Sequence, residues 1–120
     1  MILIYHNPRW SKSRESVKIL NQSKKQYEIV DYINNGISDN EISIILESLS
    51  MDIIDIIRVN DKKFKDLNLS TKDMENEKIL MEKIIENPII LQRPIILKNG
   101  KGVIGRPPEK IFDLIGWSEN

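Results

Sequence analysis

The stretch ILIYHNPRWSKSRESVKILNQSKKQYEIVDY, residues 2–32, decides the fold. It begins with an apolar strand over 2–5, followed by a polar turn and a helix over roughly 13–21. A second strand over 27–32 is rich in aromatic and β-branched residues. A strand, a helix and a strand in so few residues imply a parallel pair joined by a right-handed crossover. The sequence therefore predicts an α/β fold that starts from this βαβ unit.

A helical insert is predicted to follow, over about residues 37–88. Ser38 and Glu41 have the spacing of a capping box, and apolar residues recur behind them at helical intervals. Three more segments are predicted in this insert: a short helix over 52–58, a turn around Phe64 and Leu67, and one longer helix from Ser70 to Asn87.

The last part of the chain is predicted to return to β-structure and then end in a helix. Strands over 95–98 and 102–105 flank Asn99-Gly100, which is typical of a tight hairpin. Pro107 and Pro108 are predicted to open the final helix. The order βαβ, helical insert, ββα predicts a mixed α/β sheet with helices on its faces, as one domain over residues 1–120.

Composition limits the function classes. Eighteen basic and eighteen acidic residues cancel, so no global field attracts nucleic acid or an anionic membrane. We find no apolar run long enough for a bilayer and no leader pattern, and therefore expect a soluble, cytoplasmic protein. The chain has no cysteine, which excludes a disulfide, a thiolate nucleophile and a zinc site built on sulfur. With a single histidine as well, no metal site is expected.

The arginines are the strongest functional signal in the composition. Only five of the eighteen basic residues are arginines, and three of them lie in apolar surroundings at element edges: Arg58, Arg93 and Arg106. A buried unpaired charge is costly, and guanidinium groups match carboxylates and tetrahedral oxyanions. Either the three arginines form an anion pocket with a helix N-terminus, or each pairs with a carboxylate at the edge of the core.

The turn after the first strand is the second signal. His6, the only histidine, lies at its mouth, and Trp10 stands where reaction chemistry is expected. Ser11, Ser13 and the first N–H groups of the helix can donate hydrogen bonds to an anion. Either serine can equally be only an N-cap.

Four motifs resemble one known family. YHNPRWSKSRE, residues 5–15, closely resembles the active-site loop of the small arsenate reductases that work with glutathione and glutaredoxin. In that family the loop reads His-Asn-Pro-x-Cys, followed by a serine and an arginine on the first helical turn. The segments IIRVND (56–61), LQRPIIL (91–97) and VIGRPPEKIFDLIG (103–116) resemble the family's later arginine motifs, in order. The resemblance covers essentially the whole chain.

This resemblance implies a thioredoxin-like fold with an inserted helical region. In the family, a cysteine thiolate attacks arsenic, arginines bind the oxyanion, glutathione resolves the adduct and glutaredoxin completes the reduction. By resemblance, the oxyanion-binding residues are Arg58, Arg93 and Arg106, the loop's supporting residues are His6, Asn7, Ser13 and Arg14, and Pro94 is a cis-proline that begins a strand beside the site.

The departure from the family lies at the centre of the site. Trp10 occupies the position of the nucleophilic cysteine, and an indole offers one N–H donor and no nucleophile. Removing the attacking atom should abolish the family's mechanism. Our leading hypothesis is therefore a redox-inactive family member that keeps a site for a small oxyanion resembling arsenate, phosphate or sulfate.

Two alternatives stay open. The protein could be an active reductase in which Trp10 is a substitution or a sequence error; only then would glutathione be a co-substrate and glutaredoxin a partner. It could also be a non-enzymatic regulator or interaction module, because the fold family includes transcription regulators that bind RNA polymerase. In that case Trp10 could anchor a partner, or it could only plug an unused cleft. No bound cofactor is expected under any of these hypotheses.

Overall fold

The computed structural model describes residues 1–117, in which the strands form a four-stranded sheet of order β2-β1-β3-β4. The strands are β1 (Ile2–Tyr5), β2 (Tyr27–Val30), β3 (Ile95–Lys98) and β4 (Lys101–Ile104). β1 runs parallel to β2, whereas β3 is antiparallel to both β1 and β4. This topology confirms the predicted mixed, thioredoxin-like α/β sheet.

The βαβ unit forms as predicted, with shifted boundaries. Helix α1 (Ser11–Ser23) extends two residues beyond the predicted 13–21 at each end. The second strand was predicted to reach residue 32 and ends earlier, at Val30. The Asp31 side chain accepts the N–H of Asn34 and starts a one-turn helix, α2 (Tyr32–Asn35). A local side-chain hydrogen bond therefore overrides the strand preference of Tyr32.

The insert contains α3 (Asp39–Leu49), α4 (Lys62–Lys65), α5 (Thr71–Met74), α6 (Glu77–Glu86) and 3₁₀ turns at Ile53–Ile56 and Pro88–Ile90. The predicted capping box forms in both directions between Ser38 and Glu41. The single long helix predicted from Ser70 is wrong, because Asn76 interrupts it. The Asn76 side chain accepts the N–H groups of Lys78 and Ile79 and caps α6 separately from α5.

The predicted hairpin and final helix are also present. Asn99 and Gly100 both have positive φ angles, 50° and 81°, as a two-residue turn of this kind requires. β4 begins at Lys101, one residue earlier than predicted. The last helix, α7, spans Lys110–Ile115, so the two prolines precede it rather than occupy its first turn.

Two apolar clusters cover the two faces of the sheet. Alternate residues of β3 serve different clusters, since Ile95 and Leu97 face the insert whereas Ile96 faces α1 and α7. The insert side is packed by α3 and α6, and the other side by Leu20 and Ile111 among others. None of the helices formed by residues 1–117 combines the length and apolar character that a membrane crossing demands.

Candidate functional site

The register of the sheet places three chain segments at one edge. Tyr5, the last residue of β1, pairs with Ile95, which in turn pairs with Ile104 at the end of β4. The loop after β1 therefore lies beside the start of β3 and the end of β4. Arg93 lies two residues before Ile95, and Arg106 two residues after Ile104.

A short piece of β-like pairing brings Arg58 to the same edge. Ile57 and Leu91 form an isolated antiparallel bridge. Beside it, the N–H of Arg58 donates to the carbonyl of Ile90 at 2.8 Å, and the N–H of Gln92 donates to the carbonyl of Ile56 at 2.7 Å. The insert is thereby joined to the segment that carries Arg93.

Arg93 is the most deeply buried charge of the site. It is only 2% exposed, and its Nη1 donates to the carbonyl of Ile89 at 3.4 Å. Its Nε and Nη2 have no hydrogen-bond partner among residues 1–117. Burial lowers the pKa of Arg93 to about 10, and the positive charges of Arg58 and Arg106 add to this effect. Arg93 is thus a desolvated cation close to two other cations. A bound anion nearby would reduce the repulsion among the three.

Trp10 lies over these guanidiniums. Cζ of Arg93 is 3.4 Å from the centroid of the Trp10 ring system, and Cζ of Arg58 is 5.2 Å from it. The indole is still 39% exposed, so it covers Arg93 on one side and meets solvent on the other. The contacts are of the cation–π type, which is favourable where the cation is desolvated.

The other two arginines differ in how they are paired. Nη1 of Arg58 lies 3.1 Å from Oδ2 of Asp61, and both side chains are largely buried. No carboxylate of the described residues lies within salt-bridge distance of Arg106, which is exposed. Pairing with a carboxylate, the alternative to an anion pocket, therefore accounts for Arg58 but not for Arg93 or Arg106.

Arg58 and Arg106 line a common cleft of about 480 Å³. The rest of its wall is formed by Ile57, Val59, Asn60, Asp61, Lys62 and Gln92. We call this space the head cleft. Its two guanidiniums and the polar side chains beside them suit a small anion.

The loop after β1 is held by its own hydrogen bonds. The N–H of Asn7 donates to Oγ of Ser13 at 3.1 Å, and Oδ1 of Asn7 accepts the N–H of Arg9 at 3.1 Å. Nη1 of Arg14 donates to the carbonyl of Pro8 at 2.9 Å. Ser13 is fully buried and serves the loop, so it is not available to donate to an anion as the sequence allowed. Within residues 1–117 the Trp10 side chain makes no capping hydrogen bond, so the bonds that hold the loop do not use the indole.

His6 lies at the base of this loop and is buried, and its Nδ1 has no partner in the described part of the chain. Burial lowers the pKa of His6, the Asp31 carboxylate opposes this, and the Arg14 guanidinium adds to it. Folding therefore favours the neutral form of the imidazole.

Pro94 begins the approach to β3, and the Arg93–Pro94 bond is cis, as the resemblance implied. The carbonyl of Pro94 accepts the N–H of Gly105 at 2.9 Å, which ties the segment of Arg93 to that of Arg106. A second cis bond, Arg106–Pro107, was not predicted from the sequence.

Sequence reasoning missed two contributors. Tyr32 is buried, its hydroxyl has no partner among residues 1–117, and burial raises its pKa to about 12 against the opposing charges of Arg93 and Arg58. The sequence predicts Tyr32 at the end of a strand, and that position gives no sign that its hydroxyl is buried near the arginines. Asp61 lies three residues after Arg58, and this spacing in the sequence could have predicted their ion pair.

Comparisons with known proteins agree on one family. The model of the ArsC family matches residues 5–114. An uncharacterized protein of Escherichia coli K12, YfgD, is 34% identical over 116 residues, which cover 96% of this chain and 97% of that protein. An arsenate reductase of Haemophilus influenzae is 35% identical over 115 residues, covering 95% and 98% of the two chains.

Solved structures agree with these relatives. A putative arsenate reductase from Yersinia pestis superposes with a TM-score of 0.87 at 32% identity, covering 94% of this chain and 99% of that one. An arsenate reductase from Vibrio cholerae gives a TM-score of 0.87 at 29% identity, covering 93% and 95%.

Proposed function

This chain belongs to the ArsC family, and from that premise we propose that it binds a small tetrahedral oxyanion without reducing it. The observation that carries the proposal is a group of three guanidiniums in a chain that has no cysteine. Arsenate, phosphate and sulfate share the geometry and charge that such a group recognises.

Binding is supported by the charge of the site. Arg93 is desolvated next to Arg58 and Arg106, and its pKa is lowered as a result. An anion in the head cleft, beside Arg58 and Arg106, would offset the repulsion among the three cations. Asp61 neutralises only one of the three cations, so a net positive charge remains for a ligand.

The absence of reduction follows from side-chain chemistry. The family resemblance assigns the nucleophile to position 10, where an indole lies over Arg93. An indole cannot form the thiol adduct, and no cysteine exists elsewhere in the 120 residues to replace it.

Thermal unfolding with added anions tests the proposal. Arsenate, phosphate or sulfate, compared with chloride at equal ionic strength, should raise the Tm by several degrees. A ligand at about 100 times its Kd stabilises the fold by about 2.7 kcal/mol. Arg58→Gln and Arg106→Gln should lose most of this rise, whereas Lys72→Ala, an exposed change on α5, should keep it. Equal rises in all four proteins would contradict the proposal.

A second candidate is an active arsenate reductase that requires a cysteine at position 10. It is favoured by the loop, whose hydrogen bonds involve Asn7, Ser13 and Arg14 and not the indole. A cysteine there would lie at the start of the 13-residue helix α1 and beside Arg93, both of which stabilise a thiolate. Glutathione and glutaredoxin would be needed only in this case.

The variant Trp10→Cys tests this candidate through alkylation rates measured against pH and through arsenate reduction with glutathione and glutaredoxin. We expect a thiol pKa below about 7, compared with about 8.5 for a free cysteine. Ser43→Cys, on the exposed side of α3, is the control and should titrate near the free value. A Trp10→Cys protein without reductase activity would eliminate this candidate, and activity in the unaltered chain would contradict the leading proposal.

The interaction-module hypothesis and the cytoplasmic location stay predictions. Trp10 packs against two guanidiniums, so only part of its surface is free for a partner.

A further inference from the structure

We infer that the ligand of this site is an organic oxyanion, with a tetrahedral anionic head and an apolar substituent of a few carbons, rather than a bare inorganic ion. The inference rests on the proposed function, because it specifies the ligand class of the same site. The observation behind it is a second cleft that shares two lining residues with the head cleft.

This second cleft has a volume of about 330 Å³ and shares Gln92 and Arg106 with the head cleft. Leu49 and Met51 line it from the end of α3, and Val103 lines it from β4. We call it the tail groove. Arg106 lines both clefts, so a ligand whose head contacts Arg106 could extend a short apolar substituent along the more apolar wall of the tail groove.

Gly102 shapes the wall of the tail groove. A Cβ at this position would lie 2.7 Å from Cδ2 of Leu97 and 3.2 Å from Cδ2 of Leu49. The first contact is too short and the second is tight, so a side chain at position 102 would displace Leu97 and press against Leu49. The apolar wall is therefore a product of close packing between α3 and β4.

The groove leaves apolar surface in water. Met51 is 40% exposed, and Leu49 and Val103 are half-buried. Covering such surface is favourable, and a bare ion would cover none of it. An anion with an apolar substituent would use both the charged and the apolar parts of the combined space.

The charges around the two clefts exclude a cationic ligand. Arg58, Lys62, Arg106 and Lys110 line them, and Asp61 is the single carboxylate among the described lining residues. Asp61 is already paired with Arg58. The charges therefore favour an anionic head. No carboxylate of residues 1–117 lines the tail groove, so nothing there repels an anionic ligand.

Calorimetric titration of a phosphonate series tests the inference, because the head stays constant while the substituent grows. The probes are inorganic phosphate, methylphosphonate, butylphosphonate and phenylphosphonate. Each methylene that becomes buried should strengthen binding about two- to fourfold, so butylphosphonate should bind about tenfold or more tightly than methylphosphonate. Arg106→Gln should weaken every member of the series.

Met51→Ser locates the substituent. Met51 is exposed, so this variant should fold, and it should lose much of the gain from the butyl chain while it binds methylphosphonate like the parent. Ile85→Ser on α6 is a matched control, since both side chains are 40% exposed, and it should keep the full gain.

The outcomes separate the two proposals. If methylphosphonate and butylphosphonate bind equally and both depend on Arg106, the inference is wrong and the proposed function stands. If the butyl gain is unchanged in Met51→Ser, the substituent lies elsewhere and the inference is also wrong. If neither phosphate nor any phosphonate binds, the proposed function itself fails.

Discussion

Arg93 and Trp10 meet although 82 positions lie between them in the sequence. The sequence predicted Arg93 as a site residue from its apolar neighbours and from its motif. It could not predict that the indole packs on the guanidinium, because that contact depends on tertiary folding. The sequence could not predict the buried hydroxyl of Tyr32 near the arginines either. Its position depends on the one-turn helix that Asp31 caps, and no sequence motif marks it.

His6 gives a pH dependence that can be assigned to one residue. Its pKa is lowered in the folded protein, so the unfolded chain binds a proton more readily. Stability is therefore fully present above the unfolded pKa of about 6.5 and is lost as the pH falls below it. Urea unfolding at pH 8, 7, 6 and 5 should show a falling midpoint, and His6→Gln should flatten this decline.

The assignment is unambiguous because the chain has a single histidine. Asp31 also has a lowered pKa, but its contribution to stability is lost only as the pH falls through the range below about 3.8, outside this window. A His6→Gln protein whose midpoint still falls between pH 7 and 5 as in the parent would show that another group is responsible.

At the scale of elements, the predictions succeeded where the signal is local. The Ser38–Glu41 capping box needs only four consecutive residues, and it forms. The break at Asn76 was missed because Met74 and Leu80 fit the period of one continuous helix, whereas the Asn76 cap divides it. At the end of β2, a cap formed by Asp31 similarly prevailed over strand propensity.

Close packing between elements predicts the effect of Gly105→Ala. The added Cβ would lie 2.9 Å from Oγ of Ser16 on α1 and 3.0 Å from Cγ of Pro94. Ser16 is held by its own bond to the carbonyl of Lys12 at 2.9 Å, so it cannot yield freely. We expect a loss of about 1–3 kcal/mol in the free energy of unfolding, measured with denaturant. Because Arg106 follows directly, anion affinity should fall as well.

The matched control repeats Gly105→Ala in a Ser16→Ala background, where the nearest atom to the added Cβ is gone. In that background, Gly105→Ala should cost less free energy of unfolding than it does in the parent. If Gly105→Ala is as stable as the parent, the close contact does not restrict this position.

For the whole molecule, balanced composition conceals a local imbalance. The eighteen acidic and eighteen basic residues cancel in total, yet Arg58, Arg93 and Arg106 meet at one edge of the sheet. Among residues 1–117, Asp61 forms an ion pair with Arg58 alone of the three. The order of the motifs, together with the resemblance, predicted this meeting. Net charge could not predict it, because the sum carries no information about which charges the fold brings together.

The hydrogen bonds of the loop do not involve the side chain at position 10, and this has a genetic consequence. Tryptophan has a single codon, UGG, and both cysteine codons differ from it only in the third base. The loop around position 10 is held by hydrogen bonds of Asn7, Ser13 and Arg14, none of which uses the side chain at position 10. One nucleotide therefore separates this chain from a thiol-bearing form in which every hydrogen bond that holds the loop keeps its donor and its acceptor.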